Sequence, residues 1–402
     1  MNDMKKVLIV IYDMRIGGAQ KSLLSFLQAF SQNKKSSEYQ IDVMPFHLTG
    51  EFLEQIPEGI GIRQPENVLR WMSTRMSGNL LKRDFSLRGF AGKLIWGMAS
   101  KLHLLPKTEN VQQRLWRVWQ WIVPSLKETY DIAISYIDGT ANYYVIDKVK
   151  ASKKILWLHS DYQKQEYDAD FDREFYAACD AAITVSAQCR QGLCRVFPEY
   201  KDKIIELANI SSRKLILDQS VQGECPEYSS NDLLRLLTVG RLHWQKGIDI
   251  AVDAAKCLKE SGVHFEWLVV GEGAERKRLE QQIAEKGVKD CFRLLGSRSN
   301  PYVYIRNCDI LVQPSRVEGK SIVLDEAKVL GKPCVVTAYP SAEDAIVHEK
   351  TGLLVDIDAQ AICGGIRRLV LDEALKNQII DNVSSCLLDA EKELERYIDI
   401  ML

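Results

Sequence analysis

The chain has almost no charge of one sign to spare: 53 lysines and arginines face 54 aspartates and glutamates, leaving a formal net charge of −1. A general nucleic-acid binder shows a basic excess, so that class is excluded on balance. No stretch reaches the roughly 18 successive apolar residues that a membrane-crossing helix needs. Ten cysteines are present, yet none forms a C-x2-C pair or stands near a histidine at zinc-ligand spacing. They run from Cys179 to Cys386 and read as small buried residues of a reduced, cytosolic protein. The two lysines before VLIVIY superficially suggest a signal peptide. That apolar run is too short, and Asp13 and Arg15 follow it, so it reads as a first buried strand.

What is present is a βα rhythm. At 402 residues the chain exceeds one ordinary core, and two domains of about 200 residues are expected. The opening strand runs into Gly17-Gly18 and an amphipathic helix. Continuous apolar strands of this kind belong to parallel sheets covered on both faces. Further strands are predicted at Tyr39–Leu48, Tyr130–Gly139, Lys153–Tyr162 and Leu233–Val239, with FEWLVV and CVVTA behind them. In open parallel sheets ligands bind at the carboxyl ends of strands, which places Asp138-Gly139, His159, Gly240-Arg241 and Gly271-Glu272-Gly273 at the ligand side. Gly17-Gly18 lets the backbone approach an anion at a helix N-terminus, although an ordinary tight turn has the same composition. The polar segment Ser220–Asp232 reads as the linker.

Residues 66–127 differ in character. They hold five of the eight tryptophans and eleven lysines or arginines against three acids. Two readings stay open: a helix lying in an anionic lipid headgroup layer, or a helix whose tryptophans pack into the first domain.

The densest chemistry lies at residues 315–336. Glu318 and Glu326 stand eight positions apart around Gly319-Lys320-Ser321. Ser321 is predicted to cap a helix that ends at Gly331, ahead of Pro333. The first helical amides would then form an anion site between the two acids. Upstream, Arg241 and Lys246 follow a strand end, where a guanidinium and an ammonium can hold a diphosphate. Two D-x-D strings, Asp168-Ala169-Asp170 and Asp356-Ile357-Asp358, read as solvated turns.

Glu318 and Glu326, Pro314-Ser315, Glu318-Gly319, Glu326-Ala327, Gly331-Lys332-Pro333, Thr351–Val355 and the GRLHWQKG run at 240–247 together resemble the retaining glycosyltransferases of family 4. The strand-tip motifs at 130–139 and 153–162 resemble bacterial surface-polysaccharide transferases. The resemblance implies a GT-B fold, two facing Rossmann-like domains with parallel sheets. Residues 1–215 would form the acceptor-side domain, with 387–402 crossing back to it and Asn209 near the crossing. Residues 216–386 would form the donor domain.

It further implies that Arg241 and Lys246 take the diphosphate, that Glu318 orients the donor sugar, and that His159 reaches that sugar from the other domain. Glu326 would accept the ribose hydroxyls, while Gly17, Gly18, Gly271, Ser321 and Ile322 would offer backbone to the nucleotide. No metal or other cofactor is expected. The leaving phosphate would take the acceptor proton on the same face, with Glu318 as a covalent nucleophile the alternative. UDP-sugars are the commonest donors of the family, and no residue selects uracil over guanine. The implied acceptor is a cell-surface glycan, a lipid-linked sugar or a wall polymer, met in the cytoplasm or at the inner face of the plasma membrane. A non-catalytic glycosyltransferase-like binding subunit and a GT-B epimerase acting on UDP-GlcNAc are the other readings. Arg298, after Gly296, would support the base or phosphate, or lie exposed.

Overall fold

The computed structural model of the chain describes residues 4–15, 17–74, 86–102, 104–106, 110–210, 213–228, 232–385 and 390–401. It divides into two units, Met1–Ile210 with Glu391–Leu402, and Ser211–Ala390.

The first unit is built on seven strands, β1 (Lys5–Ile11), β2 (Tyr39–Pro45), β3 (Gly61–Ile62), β4 (Thr129–Ser135), β5 (Lys150–Leu158), β6 (Ala181–Thr184) and β7 (Ile204–Glu206). They run in the order β3-β2-β1-β4-β5-β6-β7, every pairing parallel. The last five residues of β1 are buried because helices cover both faces, which is why its sequence is continuously apolar rather than alternating. The sheet order reverses at β1, flanked by β2 on one side and β4 on the other. Such a reversal leaves a crevice at the carboxyl ends of the strands. The helix Ala390–Met401 belongs to this unit: Leu394, Tyr397, Ile398 and Met401 are buried in its core, and the Tyr397 ring lies 5.4 Å from Phe26 and 5.2 Å from Trp157.

The second unit holds β8 (Leu234–Val239), β9 (Phe265–Val270), β10 (Phe292–Gly296), β11 (Ile310–Gln313), β12 (Cys334–Thr337) and β13 (Leu353–Val355), ordered β10-β9-β8-β11-β12-β13 and again parallel. Here the order reverses at β8, between β9 and β11, so the loops after Val239 and Gln313 share one crevice.

Three expectations change. The described part of the expected linker, residues 220–228, packs into the second unit: the buried Tyr228 hydroxyl donates to the Leu236 carbonyl at 3.2 Å, and Glu227 accepts from Tyr304 at 2.8 Å and Arg298 at 3.2 Å; residues 229–231 lie outside the described residues. Arg298 is thereby accounted for as a structural partner. Second, the cysteines are not all free thiols. Cys257, on the helix Ile248–Glu260, and Cys363, on the helix Ala359–Leu371, form a disulfide with Cα atoms 6.2 Å apart. Seven other described cysteines are free, and Cys386 lies outside the described residues.

Third, residues 66–127 are packed in some places and exposed in others; 75–85, 103 and 107–109 lie outside the described residues. Trp71, Trp116 and Trp119 are buried in the first unit, whereas Trp121 is 86 % exposed. The helix Leu87–Lys101 lies close against this core because Gly89 and Gly92 have no side chain; a Cβ at either would strike the Trp71 or Trp119 ring. Its outer face leaves Leu87, Leu94, Ile95 and Met98 exposed, and Leu102 continues that stripe. Among the described residues no helix is long and apolar enough to cross a membrane.

Candidate functional site

In the second unit the site is assembled by the two loops at the β8/β11 reversal. The first carries Gly240-Arg241 and the short turn Trp244–Lys246, closed by Gly247 in the left-handed region at φ 63°. Arg241 is exposed, and the Lys246 stem passes over Gly240. Gly271, at φ 155°, packs so tightly on the Gly240 carbonyl that no side chain would fit. The second loop carries Pro314–Ser321 into the helix Ile322–Val329.

The two loops meet at an ion pair. Lys246 Nζ donates to both Glu318 carboxylate oxygens, at 2.6 and 2.8 Å, with the side chains 23 % and 9 % exposed. Glu318 Oε1 also accepts from Ser315 Oγ at 2.7 Å and Gln313 Nε2 at 3.1 Å. Such a set of donors fixes the orientation of the carboxylate. Ser321 precedes the helix as predicted but does not cap it with its side chain; its hydroxyl donates instead to Gln313 Oε1 at 2.7 Å. The helix ends at Val329, with Gly331 in the left-handed region just beyond. Asp325, in the first helical turn, is paired with Lys320 at 3.5 Å. Glu326 is 1 % exposed on the same helix, and burial first, then the Glu326 charge, raises the Tyr302 phenol. Lys246, Glu318, Ser321, Gly240-Arg241 and Gly271 are thus gathered at one strand-end crevice, with Ile322 and Glu326 on the helix that leaves it.

In the first unit, Gly17 and Gly18 start the helix Gly18–Ser31 after β1. Gly17 is extended, at φ −166° and ψ 161°, so its dihedral angles do not call for glycine. No acid occupies that helix's first turn, which suits an anion there. His159 follows β5, its ring 5.3 Å from Tyr136 and 6.1 Å from Trp157. Its imidazole is hydrogen-bonded to the Tyr136 backbone, and Nε2 has no hydrogen-bond partner among the described residues. Burial lowers its pKa from the ordinary 6.5 to about 3, so the ring is neutral and Nε2 is an acceptor. Between those values the unfolded chain takes up a proton that the folded chain refuses, so this residue's contribution to stability falls as pH drops below 6.5. The His159 ring resonances should show no inflection near neutrality in an NMR titration; a midpoint between pH 6 and 7 would overturn this assignment. Neighbouring Ser160 Oγ donates to Asp138 at 2.5 Å, and burial raises the Asp138 pKa.

Asp168 and Asp358 of the D-x-D strings are helix N-caps, accepting from Asp170 N at 3.0 Å and Ala361 N at 2.8 Å respectively. Among the described residues no three His, Cys, Asp or Glu side chains gather as metal ligands.

Residues 228–385 match the family described as glycosyl transferases group 1. The second unit carries a glycosyl transferases group 1 domain. The amylovoran biosynthesis glycosyltransferase AmsK of Erwinia amylovora is 30% identical over 174 residues, 41% of this chain and 42% of that protein. The lipopolysaccharide core biosynthesis glycosyltransferase LpsD of Rhizobium meliloti is 28% identical over 220 residues, 52% of this chain and 63% of that protein. Both alignments cover less than two thirds of the relative. The crystal structure of Anabaena HepE in complex with UDP-glucose aligns over 98% of both chains with a TM-score of 0.69 at 16% identity, a likeness of fold. The fold is GT-B, built on two Rossmann-like parallel sheets.

Two residues of the group 1 domain's site carried no signal of their own in the sequence. Gln313 binds the Glu318 carboxylate beside Ser315 of the Pro314-Ser315 motif, and Ser341 Oγ holds the Glu318 carbonyl at 2.9 Å. Their position at the end of β11 and after β12 was the only available pointer, since strand ends line the crevice.

Proposed function

We propose that the protein is a retaining, metal-independent glycosyltransferase that moves a sugar from a UDP-sugar to a glycan or lipid-linked acceptor. The observation that carries this reading is the Lys246–Glu318 pair at the strand-end crevice of a group 1 domain. Glycosyl transfer needs positive charge where the diphosphate departs and a fixed acceptor for the sugar hydroxyls. Arg241, Lys246 and the amides after Ser321 supply the first; Glu318 supplies the second. Glu326 takes the ribose hydroxyls. UDP as the nucleotude half is favoured because HepE was crystallised with UDP-glucose. The acceptor class follows AmsK and LpsD, whose names place them in polysaccharide synthesis.

The test is donor binding and turnover with UDP-, GDP- and ADP-sugars in the presence of a chelator. UDP should bind and be released from a UDP-sugar, with the new bond keeping the donor's anomeric configuration by NMR. Binding of none of the three would leave the non-catalytic reading in its place.

We also propose that the outer face of helix Leu87–Lys101 rests on an anionic membrane surface. Leu94, Met98 and Leu102 are exposed there, with Arg88 and Lys101 beside them in a segment rich in basic residues. The protein should sediment with phosphatidylglycerol vesicles at low salt and with phosphatidylcholine vesicles much less. Changing Leu94, Met98 and Leu102 together to Gln should abolish it; unchanged sedimentation would refute the placement.

A further inference from the structure

We propose that Arg316 is a positioning residue that fastens the Lys246 loop to the Glu318 loop and so sets the spacing of the diphosphate-binding cation and the sugar-binding acid. The inference rests on the glycosyltransferase reading for its consequence but not for its geometry. Arg316 lies between Ser315 and Glu318, yet its hydrogen bonds all reach the other loop or the helix that follows it. Its backbone amide donates to the Gln245 carbonyl at 2.7 Å, and Nη1 donates to the Trp244 carbonyl at 2.9 Å. The guanidinium Nη1 and Nη2 then donate to Asp249 Oδ1 and Oδ2, at 2.8 and 2.7 Å, in the first turn of helix Ile248–Glu260. It also stacks 5.3 Å from the Trp244 ring centroid.

These partners, residues 244, 245 and 249, bracket Lys246 on both sides. Lys246 and Glu318 touch each other only through flexible side chains, whereas the Arg316 side chain ties its own loop both to the Trp244 backbone and to the helix, beside main-chain bonds to Gln245 that any residue would make. The ion pair is about four-fifths shielded on both sides, at 21 % and 19 % exposure, and its fork geometry cannot be reproduced by an ammonium. When a diphosphate draws Lys246 away from Glu318, the clamp keeps the two loops at the same separation. Loss of such a restraint costs rate through misplacement, which is steep near reacting groups.

The experiment has two arms on the full chain, with Arg316→Ala and Arg316→Lys. Hydrogen exchange followed by mass spectrometry on the nucleotide-free protein should show peptides covering 243–250 and 315–321 exchanging at least about tenfold faster in Arg316→Ala, with β9 and β12 unchanged. Arg316→Lys should lie between, and provides the reading if the alanine variant fails to fold. Unchanged exchange in the two loops, or faster exchange spread evenly over the unit, would overturn the clamp. In the second arm, turnover with the UDP-sugar should fall about tenfold to a hundredfold in Arg316→Ala, and by less than about twofold further when Lys246→Ala is already present. An equal loss in both backgrounds would show that Arg316 does not act through Lys246. A wild type that binds no nucleotide would sink the transferase reading, while the exchange arm would still decide the clamp.

Discussion

Replacing Lys246 by alanine should lower turnover at saturating donor by at least about a hundredfold, which corresponds to about 3 kcal/mol of transition-state stabilisation. Two effects act in the same direction. The ammonium that meets the departing diphosphate is gone, and Glu318, 9 % exposed, loses the cation that neutralises it while keeping its bonds from Ser315 and Gln313. An uncompensated carboxylate then faces the anionic donor. Glu318→Ala should lose a comparable factor for a different reason: Lys246 is still there for the diphosphate, but the sugar has no fixed acceptor. The two variants should therefore separate in donor affinity, Lys246→Ala binding UDP weakly and Glu318→Ala binding it at least as well as wild type. Steady-state kinetics with UDP calorimetry, on variants whose circular dichroism matches the wild type, makes the comparison. Turnover within about twofold of wild type for either variant would remove that residue from the chemistry.

The next largest effect is expected at Gly247. This residue ends the Trp244–Lys246 turn and starts the following helix at φ 63° and ψ 25°. A Cβ there would lie well inside 3.0 Å of the Pro314 carbonyl oxygen, so the two loops approach each other through the space a side chain would fill. Gly262, at φ 78° with nothing within 4 Å of a built Cβ, is the natural control. Gly262→Ala should cost about 1 kcal/mol of stability, the ordinary price of a left-handed alanine. Gly247→Ala should cost roughly 2–4 kcal/mol, and because any relief moves Lys246 away from Glu318, turnover should fall at least about tenfold. Denaturant titration and kinetics on both variants test this. Equal stability losses with unchanged turnover would mean that the Pro314 contact is not what holds the loops together.

Much of the fold was legible because parallel strands covered on both faces must be apolar where they are buried, and Val7–Ile11 of β1, Ile155–Leu158 of β5 and Trp267–Val270 of β9 show that pattern without any tertiary information. The polar Ser220–Asp232 run misled for a complementary reason: composition cannot register one buried tyrosine or a Glu227–Arg298 pair made across 71 positions. The Cys257–Cys363 disulfide joins positions 106 apart, with no spacing motif to announce it. For residues 66–127, the same Trp and Leu spacing serves a buried face and an exposed one. Only packing against Gly89 and Gly92 separates Trp71 and Trp119 from the bare Leu94 and Met98.

By itself the sequence determined where strands end and which charged residues lie just beyond them, because hydrophobic periodicity and glycine or proline breaks are local properties of the chain. Only the tertiary structure decided which of those ends come together. The 3 Å contacts among Lys246, Glu318, Gln313 and Ser321, and the Arg316 fork on Asp249, arise where β8 and β11 lie side by side in one sheet. Adjacency of that kind is set by the summed packing of the whole unit, not by any segment that takes part in it.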